Sequence, residues 1–169
     1  MASYIDGKAE VLRWIRKTIP KDGTILDVGA CDGVWSDLLF EYKNMDAVEI
    51  YQPNIISFRL KEKYRNVFNE NIVNLRYNDY DLIIFGDIVE HLEVADAQTV
   101  LEYANPRCKE LIISVPWLYE QNVIYGNLYE RHIQDDLTPE IFRERYGDYQ
   151  VLIAPRADYC YFIKEGSKL

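Results

Sequence analysis

Two acidic, glycine-bearing stretches and a pair of histidines carry most of the chemistry this sequence can offer. The first stretch is Ile25-Leu26-Asp27-Val28-Gly29-Ala30-Cys31-Asp32-Gly33-Val34-Trp35, an apolar run that enters a glycine turn and then a helical pattern. Ligands of open α/β sheets bind beyond the carboxyl ends of the strands, where strand order reverses, and a turn leaving the first strand sits there. Gly29 lets the backbone bend or approach a ligand where a Cβ would collide, and Gly33 lets the next helix pack closely. Glu49 closes the run Ala47-Val48-Glu49-Ile50. Its offset of about 20 residues from the turn suits a carboxylate that accepts hydrogen bonds from both hydroxyls of a ribose.

The second stretch, Asp81 to Leu92, ends an apolar run in Gly86-Asp87 and continues into Glu90-His91. The other histidine, His132, lies in a long segment between Ser114-Val115-Pro116 and Asp136 that also holds Trp117, Tyr119, Tyr125, Tyr129 and Arg131. A connection of about 20 residues exceeds the usual length and is commonly functional. This one leaves the carboxyl end of a strand, where it could cover an acceptor and exclude water. Imidazole titrates near neutral pH, so His132 is the first candidate to take a proton from an acceptor hydroxyl, with His91 and Glu90 next. Trp117, Tyr125, Tyr129 and Arg131 are the residues placed to orient that acceptor. The competing reading is a surface loop whose aromatics pack on the sheet and whose histidine pins it.

The elements that must position these groups alternate along the chain. Short β-branched or aromatic runs at Thr24–Val28, Asp46–Ile50, Asn66–Phe68, Asp81–Phe85 and Glu110–Val115 read as strands. Lys8–Thr18, Val34–Tyr42, Pro53–Tyr64 and Val94–Ala104 show helical spacing, and Thr138-Pro139-Glu140 opens one more helix. Alternation of this kind predicts a parallel sheet covered on both faces. Gln150–Ala154 and Tyr159–Lys164 are too close together for a helix between them, so they predict a hairpin and one antiparallel strand. The expected fold is α/β, a doubly wound, mostly parallel sheet of about seven strands with a C-terminal antiparallel hairpin. With no linker or repeat, residues 1–169 read as one domain.

Taken together, these stretches resemble the Rossmann-like, class I S-adenosylmethionine-dependent methyltransferases. The glycine turn is similar to their D-x-G-x-G-x-G motif, except that Cys31 stands at the middle glycine. Asp81 to Leu92 resembles their fourth motif, which often ends V-L-E-H-L. The resemblance spans residues 24 to 115 in order and spacing. It implies S-adenosylmethionine as cofactor, held by Asp27, Gly29, Ala30, Cys31 and Gly33, with Glu49 on the ribose and Ile50 beside the adenine. Asn71 and Ile72, after the third strand, fall near the adenine amino group, and Asp87 and Ile88 complete the site. A sulfonium cation would favour nearby carboxylates or aromatic faces, among them Asp27, Asp87, Tyr4 and Trp35; core packing is the simpler role for Trp35. The Gly126 to His132 segment with Thr138-Pro139-Glu140-Ile141-Phe142 resembles bacterial enzymes of glycan or nucleotide-sugar methylation. It points to a hydroxylated small-molecule acceptor.

Composition narrows the alternatives. The formal net charge of −9 over 169 residues argues against a partner gripped through nucleic-acid phosphates. No apolar run reaches the roughly 20 residues of a membrane span. Three widely spaced cysteines without a C-x-x-C pair suggest reduced thiols in a cytoplasmic protein and no metal. A dehydrogenase G-x-G-x-x-G pattern laid on Gly29 requires glycine where Cys31 and Val34 stand. A cofactor-binding module without turnover, serving a partner protein, stays open at this level.

Overall fold

The computed structural model describes residues 7–156 and 159–165. Strands β1 (Thr24–Val28), β2 (Asn44–Val48), β3 (Asn66–Phe68), β4 (Tyr80–Gly86), β5 (Cys108–Pro116), β6 (Gln150–Arg156) and β7 (Tyr159–Glu165) form one sheet in the order β3-β2-β1-β4-β5-β7-β6. The first five run parallel, and β7 is antiparallel to both β5 and β6. Strand order reverses between β1 and β4, so their carboxyl ends define the crevice where a ligand belongs. This is the doubly wound sheet with a terminal hairpin that the alternation predicts.

Side chains alternate across the strands and build a core on each face. On one face Ile25, Ala47, Leu82, Ile84 and Ile112 pack under α1 (Lys8–Thr18), α2 (Val34–Leu38), α3 (Gln52–Ser57) and α4 (Leu60–Lys63). On the other, Leu26, Val28, Ile83, Phe85, Leu111 and Ile113 meet α5 (Val94–Ala104) and Phe142 of α6 (Pro139–Tyr146). Thr138 caps α6 by accepting a hydrogen bond from the Ile141 amide at 3.2 Å.

Three boundaries differ from the sequence expectation. The helix expected over Pro53–Tyr64 is two pieces, because Arg59 adopts a left-handed φ of 54° that turns Leu60 into the core. The helix expected to reach Tyr42 stops at Leu38, and the Tyr42 side chain turns back to donate to the Ile19 carbonyl at 3.1 Å. Strand β2 ends at Val48, so Glu49 and Ile50 lie just past the strand instead of inside it.

Helix α6 is fastened to the sheet by aromatic contact. Phe142 stacks on Phe162 of β7 with centroids 4.0 Å apart, and Tyr149 meets both rings edge-on. Phe142 is fully buried, so Phe142→Ala should cost about 3–5 kcal/mol through lost transfer energy and the cavity left behind. Urea denaturation monitored by circular dichroism checks this, and a loss below about 1 kcal/mol would mean that the site collapses around the cavity.

Candidate functional site

Both strands at the switch point end in left-handed backbone. After β1, Gly29 has φ 76°, Cys31 φ 47° and Gly33 φ 80°; after β4, Asp87 has φ 57°. At Gly29 the positive φ favours glycine, and a Cβ there would lie 2.0 Å from Ile88 Cδ1, so that side chain would have to move. The departure at Cys31 therefore falls on a position where the backbone itself favours glycine, and a non-glycine residue held there costs about 1–3 kcal/mol. What holds it is a carboxylate: Glu49 Oε2 accepts the Cys31 amide at 2.8 Å, and Oε1 accepts the Tyr51 amide at 2.7 Å. Glu49 thus joins the ends of β1 and β2. It is 5% exposed, more buried than a strand-end carboxylate is expected to be, and burial raises its pKa against those two hydrogen bonds.

The turn after β4 carries the second group of charges. Asp87 Oδ1 accepts from Ser114 Oγ at 3.1 Å and from the Tyr159 hydroxyl. Residues Val89–His91 form a 3₁₀ turn in which Glu90 is almost wholly buried, and neither of its carboxylate oxygens has a hydrogen-bond partner among the described residues. Burial and the Asp87 charge push its pKa well up.

The long segment after β5 folds back onto this turn. Leu118 N–H donates to the Leu137 carbonyl at 3.0 Å, closing the base of the loop, and its tip turns at Tyr125-Gly126, both with positive φ. The Ile133 and Gln134 amides donate to the Glu90 carbonyl at 2.8 and 3.0 Å. The Gln134 side chain donates to the Val89 and Leu92 carbonyls and accepts from Tyr146 and Arg145 of α6. These bonds set His132 against His91, with ring centroids 4.7 Å apart and nearly perpendicular. Each histidine places Nδ1 on a backbone carbonyl, His91 on Arg131 at 3.0 Å and His132 on Tyr119 at 2.6 Å. A carbonyl only accepts, so both Nδ1 atoms carry the proton and both Nε2 atoms keep a lone pair. Burial lowers the pKa of both rings, which favours the neutral form.

Between these elements lies a cleft of about 740 Å³. Of the residues expected in the site, Gly29, Glu49, Ile50, Asn71, Ile72, Asp87 and Ile88 line it at one end. Glu90, His91, Tyr129, Arg131 and His132 line it toward the loop. Ala30, Cys31 and Gly33 shape the turn without lining the cleft, and Asp27 is buried beneath it. Two expected acceptor residues fall elsewhere. Trp117 sits in the core, edge-on to Phe162, because its indole follows β5 into the packed layer, and Tyr125 is fully exposed at the loop tip. Trp35 packs in the core with Lys8 Nζ 4.4 Å from its ring centroid. Tyr4 lies outside the described residues.

Several contributors carry no motif that sequence reading could flag. Tyr159 reaches Asp87 from the terminal hairpin, and Tyr64 donates to Asp27 from beyond α4. Gln134 is one polar residue in a polar loop. The net acidity of the chain does signal the charge of the cleft. Eight carboxylate side chains line it, among them Glu49, Glu70, Asp87, Glu90, Glu130 and Asp135, against Arg131 as the one lysine or arginine among the described residues.

No family model matches the chain, and no curated protein matches it. Solved structures match it in fold. An S-adenosylmethionine-dependent methyltransferase from Clostridium acetobutylicum superposes with a TM-score of 0.70 at 13% identity, covering 93% of this chain and 89% of that one. The N-terminal domain of EvdMO1 with bound SAH gives 0.70 at 12% identity, covering 97% and 82%. CalS10 from Micromonospora echinaspora, an amino pentose methyltransferase with bound SAM, gives 0.57 at 18% identity, covering 66% and 50%. The sheet order and terminal hairpin are those of the class I methyltransferase fold.

Asp27 yields a test of the electrostatics beneath the cleft. Burial, opposed by the Tyr64 hydroxyl and the Lys8 charge, raises its pKa from 3.8 to about 7. Between these values the folded chain holds a proton that the unfolded chain has lost, so this group lowers stability as pH rises from about 4 to about 7. The full effect is on the order of 4 kcal/mol at 1.36 kcal/mol per pKa unit. Asp27→Asn should gain stability relative to the parent across that window, as urea denaturation at several pH values would show. A constant difference between the two proteins would place the Asp27 pKa near its ordinary value.

Proposed function

We propose that this chain is an S-adenosylmethionine-dependent methyltransferase acting on a small acceptor, with a hydroxyl or amino group of a sugar as the best-fitting class. The observation that carries the reading is the sign of the cleft. Carboxylates at the carboxyl edge of a doubly wound sheet attract a ligand bearing a sulfonium and an ammonium group, and they repel the pyrophosphate of a dinucleotide. The glycine turn and Glu49 supply the cofactor half. Glu49 spends one lone pair of each oxygen on an amide and takes a further hydrogen bond from the Asn54 side chain, which leaves acceptor capacity for a ribose hydroxyl. Ile50, Asn71 and Ile72 stand at the adenine end, and Asp87 and Ile88 toward the methionyl end. The SAH bound to the EvdMO1 domain and the SAM bound to CalS10 agree with this assignment.

Bound there, the cofactor supplies a methyl group on a positively charged sulfur. Transfer makes a bond from the acceptor oxygen or nitrogen to the methyl carbon as the carbon–sulfur bond breaks, leaving a neutral thioether and one proton to remove. The cleft continues from the cofactor half to Glu90, His91 and His132, which is where that proton must be handled. A module that only bound cofactor would need no such extension, so turnover is the better reading. The same negative wall disfavours the diphosphate of a nucleotide sugar and favours a neutral or amino sugar. That choice agrees with the amino pentose named for one neighbour.

Calorimetry should show binding of S-adenosylmethionine and S-adenosylhomocysteine and none of NAD. Glu49→Gln, which keeps an acceptor for one loop amide, should weaken cofactor binding by about 1.5–3 kcal/mol, the range for hydrogen bonds to a charged group. Saturable NAD binding without adenosyl-ligand binding would overturn the class. In an acceptor screen read by S-adenosylhomocysteine release, His132→Gln should lower turnover about 100-fold or more while cofactor affinity holds. Near-normal turnover in that variant would remove the histidine end from the chemistry.

A further inference from the structure

The strongest unassigned feature is where Glu90, His91 and His132 meet. One carboxylate oxygen and one ring nitrogen from each histidine all lie within 4.8 Å of one another. We propose that these three side chains hold a divalent first-row transition-metal ion at the acceptor end of the cleft.

Three observations, each independent of the cofactor, carry this. First, the donor set is complete for a facial site. Two neutral imidazoles and one carboxylate suit zinc, manganese or iron, whereas magnesium and calcium prefer oxygen alone. Second, the same nitrogen is left free in both rings. In each, Nδ1–H is held by a backbone carbonyl, at 3.0 Å for His91 and 2.6 Å for His132, so that Nε2 is the donor left for an ion. Third, Glu90 is 1% exposed, and neither of its oxygens has a hydrogen-bond partner among the described residues. A buried carboxylate without a partner is costly, and a cation against it removes that cost. The observed spacing is somewhat wider than the roughly 3–4 Å between neighbouring ligands of an ion held at about 2.0–2.2 Å. An ion bound here would draw the three donors together.

Three protein ligands leave coordination positions open, and this site lines the cleft. An acceptor hydroxyl bound at such a position loses its proton far more readily than in water, as metal-bound water does. This part rests on the methyltransferase reading above and narrows it to an oxygen acceptor, a sugar hydroxyl or a pair of neighbouring hydroxyls that can chelate. His132 then acts on the proton through the ion and not as a free base. The sequence expectation of no metal came from the cysteine pattern, which cannot register histidines 41 positions apart.

The test uses the whole chain after treatment with a chelator. Equilibrium dialysis against zinc, manganese, cobalt or magnesium, with elemental analysis, should give one tightly held transition ion per chain and much weaker magnesium binding. Cobalt should also develop visible absorption with imidazole ligation. Glu90→Gln and His132→Gln should each weaken binding at least about 100-fold, since loss of outer-shell partners alone costs 10–100-fold. Glu70→Gln, which removes an exposed charge from the far end of the same cleft, should leave binding unchanged, and circular dichroism checks the fold of each variant. No ion on a folded chain that binds S-adenosylmethionine would overturn the metal site and leave the methyltransferase reading standing. Binding that persists in the Glu90 and His132 variants, or that falls equally in the Glu70 variant, would reduce it to general attraction by an acidic cleft and overturn the proposal. An ion held by a chain that binds no adenosyl ligand would keep the site and remove the reading beneath it.

Discussion

The carboxyl edge of this sheet must keep carboxylates out of water, and much of the surrounding architecture answers that requirement. A buried ionised carboxylate is costly unless it is paired or hydrogen-bonded. Asp27 has the Tyr64 hydroxyl and the Lys8 charge, Asp87 has Ser114 and Tyr159, and Glu49 has two loop amides. Each partner comes from a different part of the chain. Satisfying the carboxylates therefore pulls α1, the loop after β2, the segment after α4 and the terminal hairpin toward one crevice. Glu90 is the exception, since neither of its oxygens has a hydrogen-bond partner among the described residues.

The histidine end of the cleft is assembled by backbone and side-chain hydrogen bonds together. The Glu90 carbonyl receives two successive amides from the loop, and Gln134 ties the same loop to the 3₁₀ turn and to α6. The amide bond tolerates almost any side chain at Ile133, whereas the ties through Gln134 need its carboxamide. The two imidazoles consequently meet at a defined distance although they sit on a turn and on a long loop. The outer surface of that loop is rich in exposed aromatics, and Tyr129, half exposed, lines the cleft.

The order of elements was readable because hydrophobic period and turn residues act locally: all seven strands appear within two residues of their expected starts. The placing of Gly29 and Glu49 at one end of the cleft was readable for the same reason, since both belong to strand ends whose register follows from the parallel sheet. The histidine end of the cleft was only partly readable. His132 in a long loop was a visible signal, but its pairing with His91 depends on amides at Ile133 and Gln134, and a backbone amide looks the same in every residue. Trp117 and Tyr125 illustrate the opposite failure. An aromatic in a loop can face the core, the cleft or the solvent, and composition does not choose among them. Cys31 shows a subtler limit, because its left-handed backbone is imposed by the turn around it and held by a carboxylate 18 positions later.

The terminal hairpin has a consequence in time. Strand β6 precedes β7 in the chain, yet β6 pairs only with β7, and β7 is the strand that bonds to β5. The sheet cannot close in the order in which the chain is made. β6 must wait for the last strand to bridge it to the rest, and Phe142 lacks its stacking partner Phe162 until that strand docks. The loop bearing His132 is anchored to α6 through Gln134. The Tyr159 hydroxyl that meets Asp87 also arrives with β7, so the crevice at the β1–β4 switch point and the pocket beside it are both completed only when the end of the chain docks.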